Sequence, residues 1–324
     1  MIVVGRGNLA ESPEFTMEAL RRIMARVPAA KVLPVLRRGN VRGAIHAGLS
    51  TADTADVLRA AIDGRVNCLI TVGADPIADF PDSDLVRRAM AAIPRHISVD
   101  TFLTASNQNA DVVLPAAAFG EKDGTTTSAE GRVTQLARKI TVHGTARPDW
   151  MIAVELADLL GVELPMGSVH EVHDAMVNSI PEFAPVSREA LRRDPDGVLV
   201  AKSGEIRDES ATRTPNDRAG FAYRLVVSRK LYDNGRNVEK SPSLAPLAPG
   251  SALYLHPLDL DRLGAVDGAQ VKVIGDRTSI VMKVQSDPSV QRGTAWVPFN
   301  QSGPDVGELI DAGRPVNDVR VETL

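Results

Sequence analysis

The first 160 residues alternate short apolar runs with segments of helical periodicity, and this alternation limits the possible folds more than any other feature. Apolar runs at 2–4, 31–36, 68–72, 96–99 and 112–114 predict strands. Strands that alternate with helices are typical of a mostly parallel sheet, because each parallel connection crosses one face of the sheet. The sequence therefore predicts an α/β domain with a doubly wound, mostly parallel sheet.

Local signals predict where the helices between these strands begin and end. Ser12 followed by Pro13 predicts a helix start, with the serine as cap and the proline at the first helical position. Residues 54–64 predict a helix that stops at its final glycine, and residues 83–93 predict another. Residues 149–161 predict a strongly amphipathic helix.

After Phe221 the pattern changes to short β-rich runs separated by turn residues, which is typical of a compact β-barrel. These runs are YRLVVS at 223–228, ALYLH at 252–256, VKVIG at 271–275, SIVMKV at 279–284 and TAWVPF at 294–299. We predict an α/β domain over 1–164, an irregular helical and linker region over 165–220, and a barrel over 221–324. The charged run 205–218 is a candidate linker within the middle region.

Composition excludes several classes of function. The only cysteine, Cys68, cannot form a disulfide within the chain or supply a cysteine-ligated zinc or iron–sulfur site. We interpret it as a small buried residue of an apolar strand. A net charge of −4 argues against nucleic acid as a partner. No apolar stretch approaches the ~20 residues of a membrane span, so we expect no membrane insertion, and no secretory leader is expected.

Residues 5–10, GRGNLA, match the dinucleotide-binding pattern G-x-G-x-x-A after a strand. Pro13 places the helix start several residues later, so the helix N-terminus would not adjoin the turn. Arg37 and Arg38 follow the second strand, where an acidic ribose partner would stand. We therefore favour a plain strand-to-helix turn that does not bind NADH or NADPH, with a nucleotide-binding domain as the weaker alternative.

A second turn, Gly73-Ala74-Asp75-Pro76, follows the strand at 68–72. Ligands of open α/β sheets bind outside the carboxyl ends of strands, so Gly73, Asp75 and Pro76 are the candidate cofactor-binding residues. On local grounds alone, a glycine that permits the turn and a proline that starts the next element is the simpler interpretation.

Two further groups of polar residues have simpler structural explanations. His170, His173 and Asp174 would share one helical face and could bind a metal, but they lie in a polar region, so we favour a solvated face. Residues 121–132 are dense in charge without a nucleophile motif, so we predict a salt-bridged surface hairpin. We therefore predict no catalytic residue and no metal site.

Several ordered motifs resemble the molybdopterin oxidoreductase superfamily. The resemblance rests on ADVVLPA at 110–116, EKDGT at 121–125, EGRV at 130–133, LHPLD at 255–259, LG at 263–264 and DGAQV at 267–271. The Gly73 turn matches the position of the family's G-x-N/D-P turn against its pterin nucleotide. The resemblance implies that the barrel is similar to the family's molybdopterin dinucleotide-binding domain.

Other motifs resemble one branch of the superfamily, the large iron–sulfur subunit of bacterial NADH:quinone oxidoreductase. They are GRGNL at 5–9, RGNVRGA at 38–44, DFPD at 79–82 and LYD at 231–233. In that branch the molybdopterin fold serves as a scaffold. At the barrel entrance the sequence has KLYDNGR at 230–236, where active molybdoenzymes carry cofactor contacts rich in Gly, Thr and His.

This resemblance implies a scaffold segment without a cofactor of its own. The [2Fe-2S] and [4Fe-4S] clusters would belong to the N-terminal portion of the related subunits, and no molybdopterin is expected here. That cluster-bearing portion and the other subunits of the hydrophilic arm would be the partners, at the cytoplasmic face of the membrane. The alternative is the C-terminal part of a molybdopterin-dependent enzyme, similar to formate dehydrogenase, that holds a pterin dinucleotide between the Gly73 turn and the barrel.

Overall fold

The computed structural model describes residues 1–200 and 222–324, so the predicted linker at 205–218 lies outside the described residues. The N-terminal part contains parallel strands and the helices that connect them. The strands are β1 (Ile2–Val4), β2 (Val32–Pro34), β3 (Leu69–Val72), β4 (His96–Asp100) and β5 (Val112–Pro115), and the helices are α1 (Pro13–Arg26), α2 (Val41–His46), α3 (Thr54–Ile62), α4 (Pro76–Asp79) and α5 (Ser83–Ala92).

All the pairings among these strands are parallel, as predicted, but the strands form two sheets. β1 pairs with β2, and a separate sheet has the order β3-β4-β5. Helices α3 and α5 pack together through Leu58, Ala61, Val86 and Ala89, all of them buried. The predicted helix starts at Pro13, Thr54 and Ser83 are confirmed.

A middle region follows, built on an antiparallel hairpin and three helices. Its elements are β6 (Gly124–Thr127), β7 (Arg132–Leu136), α6 (Asp149–Leu159), α7 (Val169–Ser179), α8 (Arg188–Arg193) and β8 (Val198–Leu199). β7 pairs with both β6 and β8. Val133 of β7 packs with Phe183, Val186 and Leu191 in a small core that joins the hairpin to α7 and α8.

Residues 223–323 contain a closed barrel of six strands, which confirms the predicted barrel. Its elements are β9 (Tyr223–Ser228), α9 (Arg236–Glu239), β10 (Leu253–Leu255), α10 (Pro257–Leu263), β11 (Gln270–Ile274), β12 (Ser279–Ser286), β13 (Thr294–Pro298) and β14 (Asp318–Thr323). The strand order is β10-β12-β11-β14-β9-β13. Alternate side chains such as Leu225, Val227, Val271 and Val273 are fully buried inside it, as expected for strands whose side chains alternate between the two faces.

The prediction of a buried Cys68 is wrong. Cys68 is exposed just ahead of β3, and the side chains of Ile70 and Val72 are also exposed, while Thr71 between them is buried. The alternation arises because one face of the β3-β4-β5 sheet is covered near β3 and the other is not. Burial of an apolar run on both faces, the assumption behind the prediction, requires helices on both sides.

Helix α6 also departs from the prediction of a single apolar face. Only Ile152 in it is buried, where it packs with Val99 and Ala116. Leu159 and Leu160 at its end are about four-fifths exposed, at 81% and 80%. Among the described residues, no helix is both long enough and apolar enough to cross a bilayer.

Candidate functional site

The first glycine turn, residues 5–10, packs against the barrel. The backbone N–H of Leu9 donates to the carbonyl oxygen of Val227 in β9 at 2.7 Å, and Asn8 Oδ1 accepts from the Val227 N–H at 2.9 Å. Leu9 and Ala10 are buried in the barrel core, and Ala10 O accepts from Asn317 Nδ2 at 2.9 Å. The turn therefore extends the barrel, a role that the sequence did not predict.

Helix α1 begins at Pro13, beyond this turn, so its N-terminus does not adjoin the glycines. Ser12 occupies the cap position, but its hydroxyl donates to the Glu14 carboxylate at 3.1 Å and makes no capping hydrogen bond. The expected serine cap is therefore wrong in this detail. Arg37 and Arg38 follow β2 and both pair with Asp79.

The second glycine turn, at the carboxyl end of β3, is shaped by its own side chains. Gly73 has φ of +57°, in the left-handed region that favours glycine. Asp75 is the N-cap of α4, and its carboxylate accepts from the Ala78 N–H at 3.5 Å and from the Ser106 hydroxyl. Pro76 is the first residue of α4.

An arginine from the barrel side closes the space in front of this turn. Arg236, which follows β9 and begins α9, donates to the carbonyl oxygen of Gly73 and to the carboxylate of Asp100. Asp100 ends β4, and its side chain is only 2% exposed, while that of Arg236 is 11% exposed. The other Asp100 oxygen accepts from the Thr101 N–H at 2.7 Å. The acceptors at the ends of β3 and β4 are therefore both engaged by one guanidinium.

Three more arginines surround two aspartates beside this pair. Arg37 lies 3.0 Å from Asp79 and 3.5 Å from Asp233, measured between nitrogen and carboxylate oxygen. Arg38 also pairs with Asp79, and Arg229 lies 3.5 Å from Asp233. We call the whole set the cleft network: Arg37, Arg38, Arg229, Arg236, Asp79, Asp100 and Asp233.

Arg229 is the most buried guanidinium of the three around Asp79 and Asp233. Its Nη2 donates to the Asp79 carbonyl oxygen at 2.7 Å, and its guanidinium carbon lies 4.4 Å from the centre of the Phe299 ring. Burial, and then the neighbouring charge of Arg37, lower the pKa of Arg229 to about 10. It is therefore still a cation at neutral pH, held between the barrel and the α/β part.

The cleft network joins the ends of β2, β3 and β4 to the loop after β9, at the sheet edge where the sequence placed the candidate site. The structure brings Gly73, Asp75 and Pro76 to this edge. Sequence reasoning did not select Asp100, Arg229 or Arg236. The position of Asp100 at the end of a parallel strand could have indicated it as a candidate. No such signal marks the two arginines, because they follow a barrel strand more than 120 residues later.

Two of the three residues of the possible metal face on α7, His173 and Asp174, have partners in neighbouring parts of the chain. His170 and His173 share helix α7, but the His173 Nε2 atom lies 2.7 Å from the Val186 carbonyl oxygen and Asp174 pairs with Arg188. Within residues 1–200 and 222–324, no group of three or more His, Cys, Asp or Glu side chains is arranged to hold a metal.

The predicted hairpin over 121–132 is present as β6 and β7, with Glu130 and Arg132 paired at 3.0 Å. Glu121, however, is not on the surface. It is buried, and its carboxylate accepts from the Ala118 N–H at 2.7 Å. That contact closes a short 3-10 turn, which local charge density could not reveal.

Two family models match the chain, one over most of its N-terminal half and the other over the barrel. Residues 15–159 match the Molybdopterin oxidoreductase family, and residues 223–322 match the Molydopterin dinucleotide binding domain. The chain thus carries domains of the molybdopterin oxidoreductase family, and the predicted α/β fold with a dinucleotide-binding-type barrel is confirmed.

Curated relatives lie in several branches of that family. The chain is 28% identical to the alpha subunit of the NADPH-Fe(3+) oxidoreductase of Geobacter sulfurreducens, over 83% of this chain and 31% of the relative. It is 26% identical to the alpha subunit of the F420-dependent formate dehydrogenase 1 of Methanococcus maripaludis, over 79% and 41%. It is 30% identical to an NADH-quinone oxidoreductase subunit of Rhizobium meliloti, the one designated G 2, over 81% and 31%.

The chain therefore spans roughly a third of the length of these relatives. Among solved structures, the acetylene hydratase from Pelobacter acetylenicus has a similar fold, with a TM-score of 0.63 at 14% identity over 83% of this chain and 46% of that one. At that identity, the likeness concerns the fold alone. The relatives share the family with this chain and differ in the reactions that their names state.

Proposed function

We propose that this chain is the scaffold portion of the large subunit of an NADH:quinone oxidoreductase, which supports electron transfer from NADH to quinone and holds no redox centre of its own. The observation that carries the proposal is the contact of Arg236 with Gly73 and Asp100. That contact fills, with a side chain of the protein, the place between the Gly73 turn and the barrel where a family cofactor would lie.

The residues of this cleft do not fit a pterin dinucleotide as they are arranged. Every arginine of the cleft network lies within 3.5 Å of an aspartate carboxylate, so a diphosphate would have to compete with these carboxylates for the guanidinium groups. The two acceptors at the ends of β3 and β4, the Gly73 carbonyl and the Asp100 carboxylate, are already used by Arg236. A ligand would have to break these contacts and leave Asp100, a buried carboxylate, without its cation.

A chain with one cysteine cannot bind an iron–sulfur cluster by cysteine ligation alone. In this proposal, the [2Fe-2S] and [4Fe-4S] clusters belong to a cluster-bearing portion that acts together with this chain. The other subunits of the hydrophilic arm, at the cytoplasmic face of the membrane, are its further partners. The 30% identity to the NADH-quinone oxidoreductase subunit of Rhizobium meliloti supports this assignment.

The test is the cofactor content of the complete assembly purified from its native cells. Molybdenum and tungsten are measured by mass spectrometry, and pterin is measured by its fluorescence after oxidative release. We expect iron and acid-labile sulfide, with neither molybdenum nor tungsten in stoichiometric amount and no released pterin. About one molybdenum or tungsten atom per large subunit, together with pterin, would refute the scaffold function.

The alternative function is pterin dinucleotide binding in an enzyme similar to formate dehydrogenase. Its support is the match of the barrel to the dinucleotide binding domain and the presence of Arg37, Arg38 and Arg229 at the cleft. In that case Arg236 must release Gly73 and Asp100 when the cofactor binds. The same measurement separates the two functions, because this one requires stoichiometric metal and pterin.

A further inference from the structure

A cavity lies away from the cleft network, between the β6–β7 hairpin and helices α7 and α8. Its volume is about 330 Å³, within the range of pockets that hold small ligands. Thr125 and Gln135 line it from the hairpin, His170 and His173 from α7, and Arg192 from α8. Three separate elements of the chain thus converge on one space.

The core beneath the cavity fixes the position of these elements. Leu191 of α8 is buried against Val133 of β7, Phe183 and Val186. The His173 ring is also held, because its Nε2 atom lies 2.7 Å from the Val186 carbonyl oxygen. A carbonyl oxygen can only accept, so Nε2 carries the proton and Nδ1 is the nitrogen that remains for other partners.

The charges around the cavity are only partly compensated. Arg188, which also lines it, makes two hydrogen bonds to Asp174 at 3.1 and 3.0 Å. Asp123, on the hairpin, accepts from the Arg138 N–H at 3.0 Å. The side chains of Arg192 and His170, by contrast, have no hydrogen bond or ion pair with any residue that the structure describes, and both residues are exposed to solvent at the cavity.

We propose that this cavity binds a small oxyanion, a carboxylate or a phosphate group. Arg192 supplies the charge, since a guanidinium matches both groups with paired N–H donors. His170, on α7, can donate one further hydrogen bond from its imidazole ring, while His173 borders the site with a ring that Val186 holds in place. Thr125 and Gln135 supply uncharged polar contacts from the hairpin. The site belongs to the middle region and is independent of the cleft network.

The test is isothermal titration calorimetry on the whole chain with two separate probes, inorganic phosphate and succinate. Arg192→Ala is compared with Arg193→Ala, because both arginines are exposed on α8 and only Arg192 lines the cavity. Circular dichroism and thermal melts establish that both variants are folded. We expect saturable binding by wild type and by Arg193→Ala, and at least about tenfold weaker binding by Arg192→Ala, which corresponds to roughly 1.4 kcal/mol.

Saturation by phosphate alone would assign a phosphate-bearing ligand, and saturation by succinate alone would assign a carboxylate. Equal binding by Arg192→Ala and wild type would overturn the proposal. So would the absence of saturation by either anion up to about 10 mM. If Arg192→Ala unfolds, Arg192→Lys serves in its place, since it keeps the charge and loses the paired donors. The affinity of Arg192→Lys is then compared with those of wild type and Arg193→Ala.

Discussion

Two turns in this chain begin with glycine and follow a short parallel strand, but their environments differ. The turn at 5–10 follows β1 and adds its backbone to β9 of the barrel, with Leu9 and Ala10 in the barrel core. The turn at 73–76 follows β3, caps the short helix α4, and offers its glycine carbonyl to Arg236. Both turns contact the barrel part of the chain, one through apolar packing and the other through charge.

This difference shows that a glycine pattern alone does not determine whether a turn binds a dinucleotide. A dinucleotide-binding turn requires a helix that starts directly after it, so that the N-terminal N–H groups face the phosphates. Here α1 starts only at Pro13, and the N–H of Leu9 is already paired with β9. The turn at 73–76 does lead directly into a helix, but that helix is only four residues long. Neither turn therefore presents a free anion-binding terminus.

The largest effect is expected at the charged turn. In Arg236→Met the buried carboxylate of Asp100 loses its cation, and breaking such a pair typically costs 3–5 kcal/mol, so we expect the free energy of unfolding to fall by about 4 kcal/mol. Urea unfolding measures it. Asp100→Asn in the same chain should recover part of the loss, because the uncompensated charge is then gone. A loss below about 1 kcal/mol would show that the pair does not stabilise the cleft.

The apolar turn is tested by Leu9→Ala. Removing this buried side chain from the barrel core should lower the free energy of unfolding by about 3 kcal/mol, through lost transfer energy and the remaining cavity. Leu49→Ala is the matched control, because Leu49 is 80% exposed and its truncation should cost little. Equal losses in the two variants would mean that the turn does not pack against the barrel as described.

Alanine substitution should affect stability differently in the two glycine turns. Gly73→Ala places a Cβ on a residue with φ of +57°, so we expect a loss of about 1 kcal/mol in the free energy of unfolding. A Cβ built at Gly7 meets no atom within 4 Å, and Gly7 is not among the residues with positive φ, so Gly7→Ala should change stability by less than about 0.5 kcal/mol. A larger loss for Gly7→Ala, or micromolar binding of NADH that this variant abolishes, would contradict the assigned packing role.

The smallest effect is expected from pH, through the strand that carries Asp100. Burial lowers the pKa of His96, at the start of β4, where its Nε2 lies 3.0 Å from the Thr71 hydroxyl oxygen. Because the lowered pKa means that the folded protein binds fewer protons than the unfolded chain, stability should fall as the pH drops below about 6.5. His46 is shifted in the same direction by burial and by Arg42.

The measurement is the melting temperature at pH 7.5 and at pH 5.5. His96→Gln removes the titrating group and should make the decrease smaller, whereas His143→Gln, at an exposed position, should keep the wild-type decrease. An identical decrease in wild type and His96→Gln would exclude His96 as its source.

Prediction from sequence succeeded where local pattern and packing agree. The barrel runs were recognised because each is short, rich in β-forming residues and bounded by turn residues. Strand β14 was missed, since its sequence DVRVET has only two apolar residues, Val319 and Val321, among polar and charged ones. Cys68 was misplaced because an apolar run does not reveal how many faces of its sheet are covered. The buried Glu121 was missed because its partner is a backbone N–H that pattern analysis does not consider.

The sequence by itself determined the order of the elements, the change from α/β to barrel, and the family through motifs that stay together in short windows. The tertiary structure decided which residues of those elements contact one another. Arg236 and Asp100 are 136 residues apart, and Asn8 and Val227 are 219 apart. Periodicity and capping act over a few residues, whereas such pairings exist only after the chain has folded, so no local pattern predicts which arginine closes the cleft.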